Sequence, residues 1–450
     1  MVQYGEANRD VGTTSEWSAH VPEGWKFVRL DSVFDLVRNT IRQKDMIEKT
    51  VFHYSIPSVQ DYGDGRIESG DEISSDKFLL SGGELIVSKL NPRKATVLLT
   101  KPQGIPIVAS TEFVVLRPKA IHSKYALYLY LSHWVREKIS SVVQSTTKSH
   151  QRANPSDIYK LWAPLPNLDE QVQIASFLDR QTAKLDQLIE KKQRLIALLQ
   201  EYRQALITQA VTKGLDPNVP MKDSGIPWLG EVPAHWEVVK TSRVVDSIQT
   251  GPFGSQLHAE DYVDNGIPVI NPSHIVNGSI VFDPSSAVSN DTKQRLKRHE
   301  LTSGDIVFAR RGEIGRCALV TEDAEGFLCG TGCFRVRPNQ EVVDPAFMAI
   351  SFSTPWIRDW LSLQSVGSTM ENLNTTILAN TPFLLPPLAE QHHIVQRVLQ
   401  ASTQINSVVE KLHDQVGLIQ EYRQALITAA VTGQIDIRQW ENVQTEAMPS

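Results

Sequence analysis

Cysteine is scarce in this chain: Cys317, Cys329 and Cys333 are the only three in 450 residues, all in the second half. They supply no disulfide framework, and a reducing cytoplasm is the simpler setting. Long apolar runs are missing too. No stretch approaches the ~18 consecutive apolar residues of a spanning helix, so no membrane partner is expected. The first thirty residues carry Glu6, Asp10, Glu16 and Glu23 without an apolar segment and do not read as a secretory signal. Nor does one sign of charge dominate: 45 Lys and Arg face 51 Asp and Glu, a net −6. That argues against a uniformly basic nucleic-acid coat but leaves local patches open. With 41% apolar and 21% charged residues the chain packs as a globular protein. Its length is about three times the ~150-residue domain prior, so two or more cores are expected.

The constellations of catalysis are also missing. No Gly-x4-Gly-Lys-Ser/Thr phosphate loop occurs, which excludes ATP-driven translocation by this chain, and no Gly-x-Gly-x-x-Gly turn follows a strand. Enzymes that methylate adenine or cytosine amino groups need an Asn/Asp-Pro-Pro-aromatic loop. Asn154-Pro155-Ser156-Asp157 and Asn271-Pro272-Ser273-His274 lack the second proline and the aromatic. Asp71-Glu72 with Asp76-Lys77 offers carboxylates for a metal-dependent nuclease, but so polar a loop reads as a solvated turn. Cys329-x3-Cys333, with Cys317 upstream, has no fourth ligand at metal spacing and reads as buried thiols on strands. His392-His393 aligns with Val172-Gln173, which favours an exposed helix turn. No catalytic residue, no metal site and no cofactor are assigned to this chain.

What is present is a duplication. Leu-Pro-Asn-Leu-Asp-Glu-Gln at 165–171 returns as Leu-Pro-Pro-Leu-Ala-Glu-Gln at 385–391, and Gln200 to Thr208 recurs letter for letter as Gln420 to Thr428. All these matches share an offset of 220. An earlier anchor, Trp17-x3-Val21-Pro22-x2-Trp25, returns as Trp228-x3-Val232-Pro233-x2-Trp236 at an offset of 211. Between the anchors the copies differ, apart from echoes such as Gly83-Glu-Leu-Ile against Gly304-Asp-Ile-Val, and Phe113 to Arg117-Pro118 against Phe334 to Arg337-Pro338. The division is therefore a polar leader (1–16), a variable domain (17–164), a constant helix (165–213), a linker (214–235), a second variable domain (236–384), a second constant helix (385–433) and a tail (434–450). Constant segments of one length beside divergent domains suggest a frame holding two readers.

Leu168 to about Thr212 contains no Gly or Pro and is rich in good helix formers. A 3-4 spacing predicts a coiled-coil seam of Leu178, Leu185, Leu188, Leu195, Leu199, Tyr202 and Leu206, repeated as Val398, Ile405, Val408, Leu412, Ile419, Tyr422 and Leu426. Gly417 should weaken the second helix without ending it. The alternative is two amphipathic helices packed separately on globular cores. Because domain termini tend to lie close together, the second variable domain should bring the end of one helix to the start of the other, making the pair antiparallel. In the variable domains, runs such as Leu85–Val87, Ile107-Val108, Phe113–Leu116, Asp305–Phe308 and Phe334–Val336 predict strands, with one helical stretch near 125–143 and another near 345–363. The fold class expected is α+β: two mixed α/β domains joined by two long helices in an antiparallel coiled coil, with a pseudo-twofold internal repeat.

Basic residues are unevenly placed. Residues 25–164 hold 20 Lys and Arg against 14 Asp and Glu, whereas residues 236–384 hold 12 against 17. The acidic second domain still clusters Arg295, Lys297 and Arg298, then Arg310, Arg311 and Arg316. The first places Lys89, Arg93 and Lys94 at the aligned point, after the same strand. Basic residues following one strand in two divergent copies suit phosphate contacts or guanine readout. Lys148 and Arg152 are similar candidates, against the plainer reading of solvated loops. Thr250 to Gln256, including Ser255, forms a glycine-bearing loop able to approach a groove closely or to be an ordinary turn.

Leu-Pro-x-Leu-x-Glu-Gln-x-x-Ile at 165–174 and 385–394, Tyr-Arg-Gln-Ala-Leu-Ile-Thr, Trp-Leu-Gly-Glu-Val-Pro-x-x-Trp at 228–236, and Gly251-Pro-Phe-Gly-Ser255 followed by Tyr262 and Gly266-Ile-Pro268 resemble the specificity (S) subunits of type I restriction–modification systems. The resemblance covers essentially the whole chain, although the first copy lacks the Gly-Pro-Phe-Gly loop and a counterpart of Gly367. It implies a non-catalytic reader of double-stranded DNA in which each variable domain is a target-recognition domain for half of a split, asymmetric site. It also implies two methyltransferase subunits carrying S-adenosylmethionine, and two restriction/translocase subunits using ATP and Mg. Two other classes compete: a self-sufficient methyltransferase–nuclease, disfavoured by the missing motifs, and a coiled-coil adaptor that binds proteins rather than DNA.

Overall fold

Strands that are apolar at every position need a layer on both faces, and this is how the central strands of both variable regions are used. In the computed structural model, residues 22–142, 151–253, 256–310, 315–365 and 373–437 are described. The chain divides into two units, residues 1–193 with 413–450, and residues 194–412.

In the first unit Phe34–Leu36, Phe113–Pro118, Leu85–Ser88 and Val97–Leu99 form an antiparallel sheet in that order. Leu85 and Val87 point into the core built with the helices, while Ile86 points the other way, onto Phe113, Val115, Tyr54 and Ile107. This is the period-2 alternation of a strand, hidden in the sequence because both sides are apolar. The second face packs on a five-stranded sheet, Thr40–Ile41, Lys77–Leu80, Ile107–Ser110, Thr50–Tyr54 and Arg66–Ser69, with one parallel pair, Thr50–Tyr54 on Ile107–Ser110.

The second unit repeats the plan. Val245–Thr250, Cys333–Pro338, Ile306–Ala309 and Cys317–Leu319 form a sheet with the same strand order. Ile306 and Phe308 face one core, Val307 and Ala309 the other. The second sheet has its own parallel pair, Ile267–Ile270 on Leu328–Cys329. The three thiols are buried on strands, and burial pushes Cys317 and Cys333 up to about 12. Residues 214–235, expected as a linker, are packed: Met221–Asp223 pairs with Glu231–Pro233, and Val232 joins the core beside Trp236.

Each single helical stretch expected in the variable domains is two helices. Ser123–Leu131 stops at Ser132, which leaves the helical region and caps His133–Ser141 by accepting the Val135 N–H. Pro345–Phe352 and Pro355–Ser365 are separate helices, as expected where Pro355 has no N–H to continue the first and disfavours the helical region at the residue before it.

The constant segments are helices Leu168–Lys213 and Leu388–Val431, uninterrupted at Gly417. They pair antiparallel. In the first unit Asp186 accepts from Arg423 at 2.8 Å and Lys192 donates to Gln415 at 2.7 Å; in the second, Arg203 donates to Asn406 at 2.7 Å. The seam differs from the one expected. Leu178, Leu185, Leu199 and Leu206 are covered to varying degrees, as are Val398, Ile405, Leu412, Ile419 and Leu426, but Leu188, Leu195, Tyr202, Val408 and Tyr422 are exposed. The alternate rung lies one residue later, at Thr182, Ile189, Ile196 and Arg203, and at Ser402, Val409, Val416 and Arg423. A 3-4 repeat can be drawn on either flank of the Leu185–Leu199 row, and leucines at 188 and 195 make the wrong flank look apolar. The side chains at Ile189, Ile196, Val409 and Val416 decide it.

The recurrent motifs weld each domain to this frame. Gln171 is buried, donating to the Pro166 carbonyl at 2.9 Å and accepting the His122 N–H at 2.8 Å. Gln391 donates to Pro386 and Val342 and accepts the Asp344 N–H at 2.9 Å. From the other helix, Gln424 donates to the Leu131 carbonyl and Thr428 accepts the His133 N–H, bridging the helix break at Ser132. Gly433, at φ +73°, abuts Pro22 and Trp25 so closely that a Cβ would lie 2.2 Å from Pro22; Gly214, at φ +75°, lies beside Pro233 and Trp236 with more room, a Cβ there coming to 3.4 Å from Trp236. This explains the Val-Pro-x-x-Trp anchors. Gln391→Ala leaves several buried groups unpaired at ~1–3 kcal/mol each, so its urea transition is expected at lower concentration. Exposed Gln396→Ala is the control that should not move.

Candidate nucleic-acid interface

Each unit extends a basic hairpin from the same two strands of its first sheet. In the first, Leu85–Ser88 and Val97–Leu99 are joined by a turn holding Lys89, Arg93 and Lys94. The single turn Pro92–Lys94 is flanked by Asn91 at φ 47° and Ala95 at φ 46°. The left-handed region costs a residue with a Cβ about 1 kcal/mol or more, and here that backbone leaves Arg93 and Lys94 exposed at the tip. In the second, Ile306–Ala309 and Cys317–Leu319 are joined by residues 310–316, with Arg310 and Arg316 at the two ends. Arg311 lies outside the described residues, as do Lys148 and Ser255.

Strand register equates the two hairpins position by position. Ser88 faces Phe113 and Ala309 faces Cys333, so Phe113 corresponds to Cys333 rather than Phe334, and Lys89 to Arg310. The backbone agrees: Lys89 N–H donates to Glu112 and Arg310 N–H to Gly332, both at 2.9 Å. The Lys89 carbonyl accepts from Ala153, and the Arg310 carbonyl from Leu373.

The side chains then diverge. Glu112 takes Arg152 at 2.9 Å and also attracts Lys89. Burial, opposed by Glu112 and reinforced by Arg152, holds the Lys89 ammonium below its ordinary pKa. Opposite Arg310 stands Gly332, with no charge to offer, and the guanidinium lies over the Phe334 ring at 5.2 Å from its centroid.

The other candidates are less free. Arg295 donates to the Gln256 carbonyl at 2.7 Å and to Asp261 at 2.6 Å. Arg298 donates to His299 Nε2 at 2.9 Å and to the Gln256 side chain at 3.2 Å. Lys297 between them is exposed, and Arg316 is half-buried with an enclosed Nε that has no hydrogen-bond partner among the described residues. Arg335, a cation that composition would count toward DNA, is structural: its guanidinium holds the carbonyls of Arg298 and Glu300.

A second surface is made largely of residues that the 3-4 spacing places in the seam, together with Leu198 and Leu418, which it leaves outside. Leu188 and Tyr422, with Leu418 one turn before Tyr422, are exposed on the first unit's helix pair; Val408, Tyr202 and Leu198 are their equivalents on the second, joined by Leu195. Leu188, Leu195, Tyr202, Val408 and Tyr422 each immediately precede a rung residue. In an antiparallel pair this puts them on one flank of both helices. The other flank carries Asp186, Gln193, Gln200, Asn406, His413 and Gln420. The first flank also holds Gln181 and Gln415 and the second Leu399, but the large exposed apolar side chains are concentrated on the first, an asymmetry that solvent alone does not call for.

The sequence model of the type I restriction modification DNA specificity domain matches residues 22–198 and again 233–416. The chain is 24% identical over 423 residues to the type I restriction enzyme MjaVIII specificity subunit of Methanocaldococcus jannaschii, covering 93% of this chain and 94% of that protein. It is 23% identical to the EcoKI specificity subunit of Escherichia coli K12, covering 93% and 91%. Among solved structures, a chain of an assembled type I R-M system superposes with a TM-score of 0.71 at 17% identity, over 92% of this chain and all of that one. The HsdS subunit from Thermoanaerobacter tengcongensis gives 0.50 at 18% identity, over 92% and 98%. These last two likenesses concern the fold.

Proposed function

The chain belongs to the type I restriction–modification DNA specificity family, and from that premise we propose that its two domains read the two different halves of an asymmetric, split DNA site. The observation that carries this reading is the shared hairpin with unlike chemistry: Lys89 against Glu112 in one domain, Arg310 against Gly332 in the other. Identical readers would demand a palindrome; these do not. The exposed cations Arg93, Lys94 and Lys297 contact phosphates, which position the domains, while recessed groups read bases. Arg295, Arg298, Arg316 and Arg152 contribute as far as their internal partners allow, and Lys148, Ser255 and Arg311 are retained as DNA contacts from the sequence pattern.

The chain is the non-catalytic part of its complex. Two methyltransferase subunits would dock on the apolar flank of the helix pair, one per unit, bringing S-adenosylmethionine; two restriction subunits would bring ATP and Mg. The whole would work on DNA in the cytoplasm. No helix among the described residues is long and apolar enough to cross a membrane.

Exchanging residues 25–164 for the first domain of another specificity subunit tests the reading. Mapping methylated adenines in cells carrying the complete system should show one half of the site changed and the other retained. Simultaneous change of both halves would sink the two-reader assignment.

A further inference from the structure

The mouth of the second hairpin opens on a recess of about 600 Å³ lined by Thr250, Phe253, Arg310, Thr331 and Gly332. Arg310 is half-buried there, its Nε is closed off without a hydrogen-bond partner, and no carboxylate pairs with it among the described residues. Its backbone is pinned by Gly332 and Leu373 and its guanidinium is supported by Phe334. A planar fork with its remaining donors facing an open recess calls for two coplanar acceptors. Phe253, 56% exposed, adds a flat apolar wall. Gly332 lines the recess without a side chain and packs so tightly on Pro272 that a Cβ would come within 2.8 Å of it.

A phosphate could meet the charge of Arg310, but phosphates are served by exposed cations such as Lys297 and have no use for a phenyl wall. The major-groove edge of guanine offers O6 and N7 side by side in the plane of a ring, and arginine grips both. Resting on the specificity-subunit reading, we propose that Arg310 is a base-reading residue of the second domain, taking O6 and N7 of one guanine while Phe253 packs against the adjoining nucleotide. The equivalent Lys89 shares Glu112 with Arg152 and is a point charge rather than a fork. The first domain therefore reads its half-site by other means at this position.

The test uses the complete complex, with methylated sites mapped genome-wide for the native chain and for Arg310→Lys, Arg310→Gln and Phe253→Leu. The native map should contain an obligatory guanine in the half-site assigned to the second domain. Both Arg310 variants should lower the preference for guanine at that single position about tenfold or more while leaving the first half-site intact. Lysine fails despite its charge because it cannot engage both acceptors as a fork. Phe253→Leu, an exposed and conservative change, should weaken methylation of the same sites without altering the preferred base. If Arg310→Lys keeps the full guanine preference while Arg310→Gln weakens all sites equally, Arg310 is a phosphate contact and the assignment is overturned. It is equally overturned if the second half-site contains no obligatory guanine. A native complex that methylates no asymmetric two-part site would instead overturn the specificity reading itself.

Discussion

Lengthening both long helices by one heptad, after Lys192 and after Leu412, is expected to move the two methylated adenines apart by about three base pairs. Seven residues add about 10 Å at ~1.5 Å per residue, and the duplex rises ~3.4 Å per base pair. A heptad is the right unit because it returns both the Leu185–Leu199 row and the Ile189–Ile196 row to the seam. The readers would also have to follow the groove's rotation, so torsion of the DNA opposes strict addition. Adding four residues to one helix alone should instead put Ile196 and the residues after it out of step with Val409, and assembly should fail. The measurement is the spacer length at methylated sites in cells carrying the lengthened chain. An active variant with its spacer unchanged would show that the helices hold partners without measuring DNA.

The second large effect is expected on the apolar flank. Tyr202→Glu and Tyr422→Glu each place a charge where a methyltransferase helix would pack, and a buried aromatic anchor is commonly worth ~2 kcal/mol or more, roughly a thirty-fold change in affinity. Because Tyr422 belongs to the first unit and Tyr202 to the second, each single variant should retain one methyltransferase subunit and the double variant none, read by native mass spectrometry. Gln200→Glu and Gln420→Glu, on the polar flank, are the matched controls and should retain two. A double tyrosine variant that still carries two subunits would remove this flank from the interface.

Much of the plan is legible along the chain. Nine identical residues at Gln200 and Gln420, and the Leu-Pro-x-Leu-x-Glu-Gln segments, show duplication and two long helices, because a gap-free helical repeat writes its period directly along the chain. Antiparallel pairing also followed, from where the second domain must begin and end. The seam's exact flank did not. Leu188 and Ile189, or Leu195 and Ile196, are neighbours of equal apolarity, and only the packed partner helix chooses between residues 100° apart on one cylinder. The site was legible to the same limited depth. That basic residues follow one strand in both copies could be counted. That Glu112, twenty-three residues from Lys89, attracts its charge while Gly332 offers Arg310 none, and no other described residue pairs a carboxylate with it, could not, because strand pairing joins positions whose separation in sequence carries no periodic trace. Helices are local objects and announce themselves. The chemistry of a reading surface is assembled across strands, and it is their pairing and packing that leave some charges free to meet DNA.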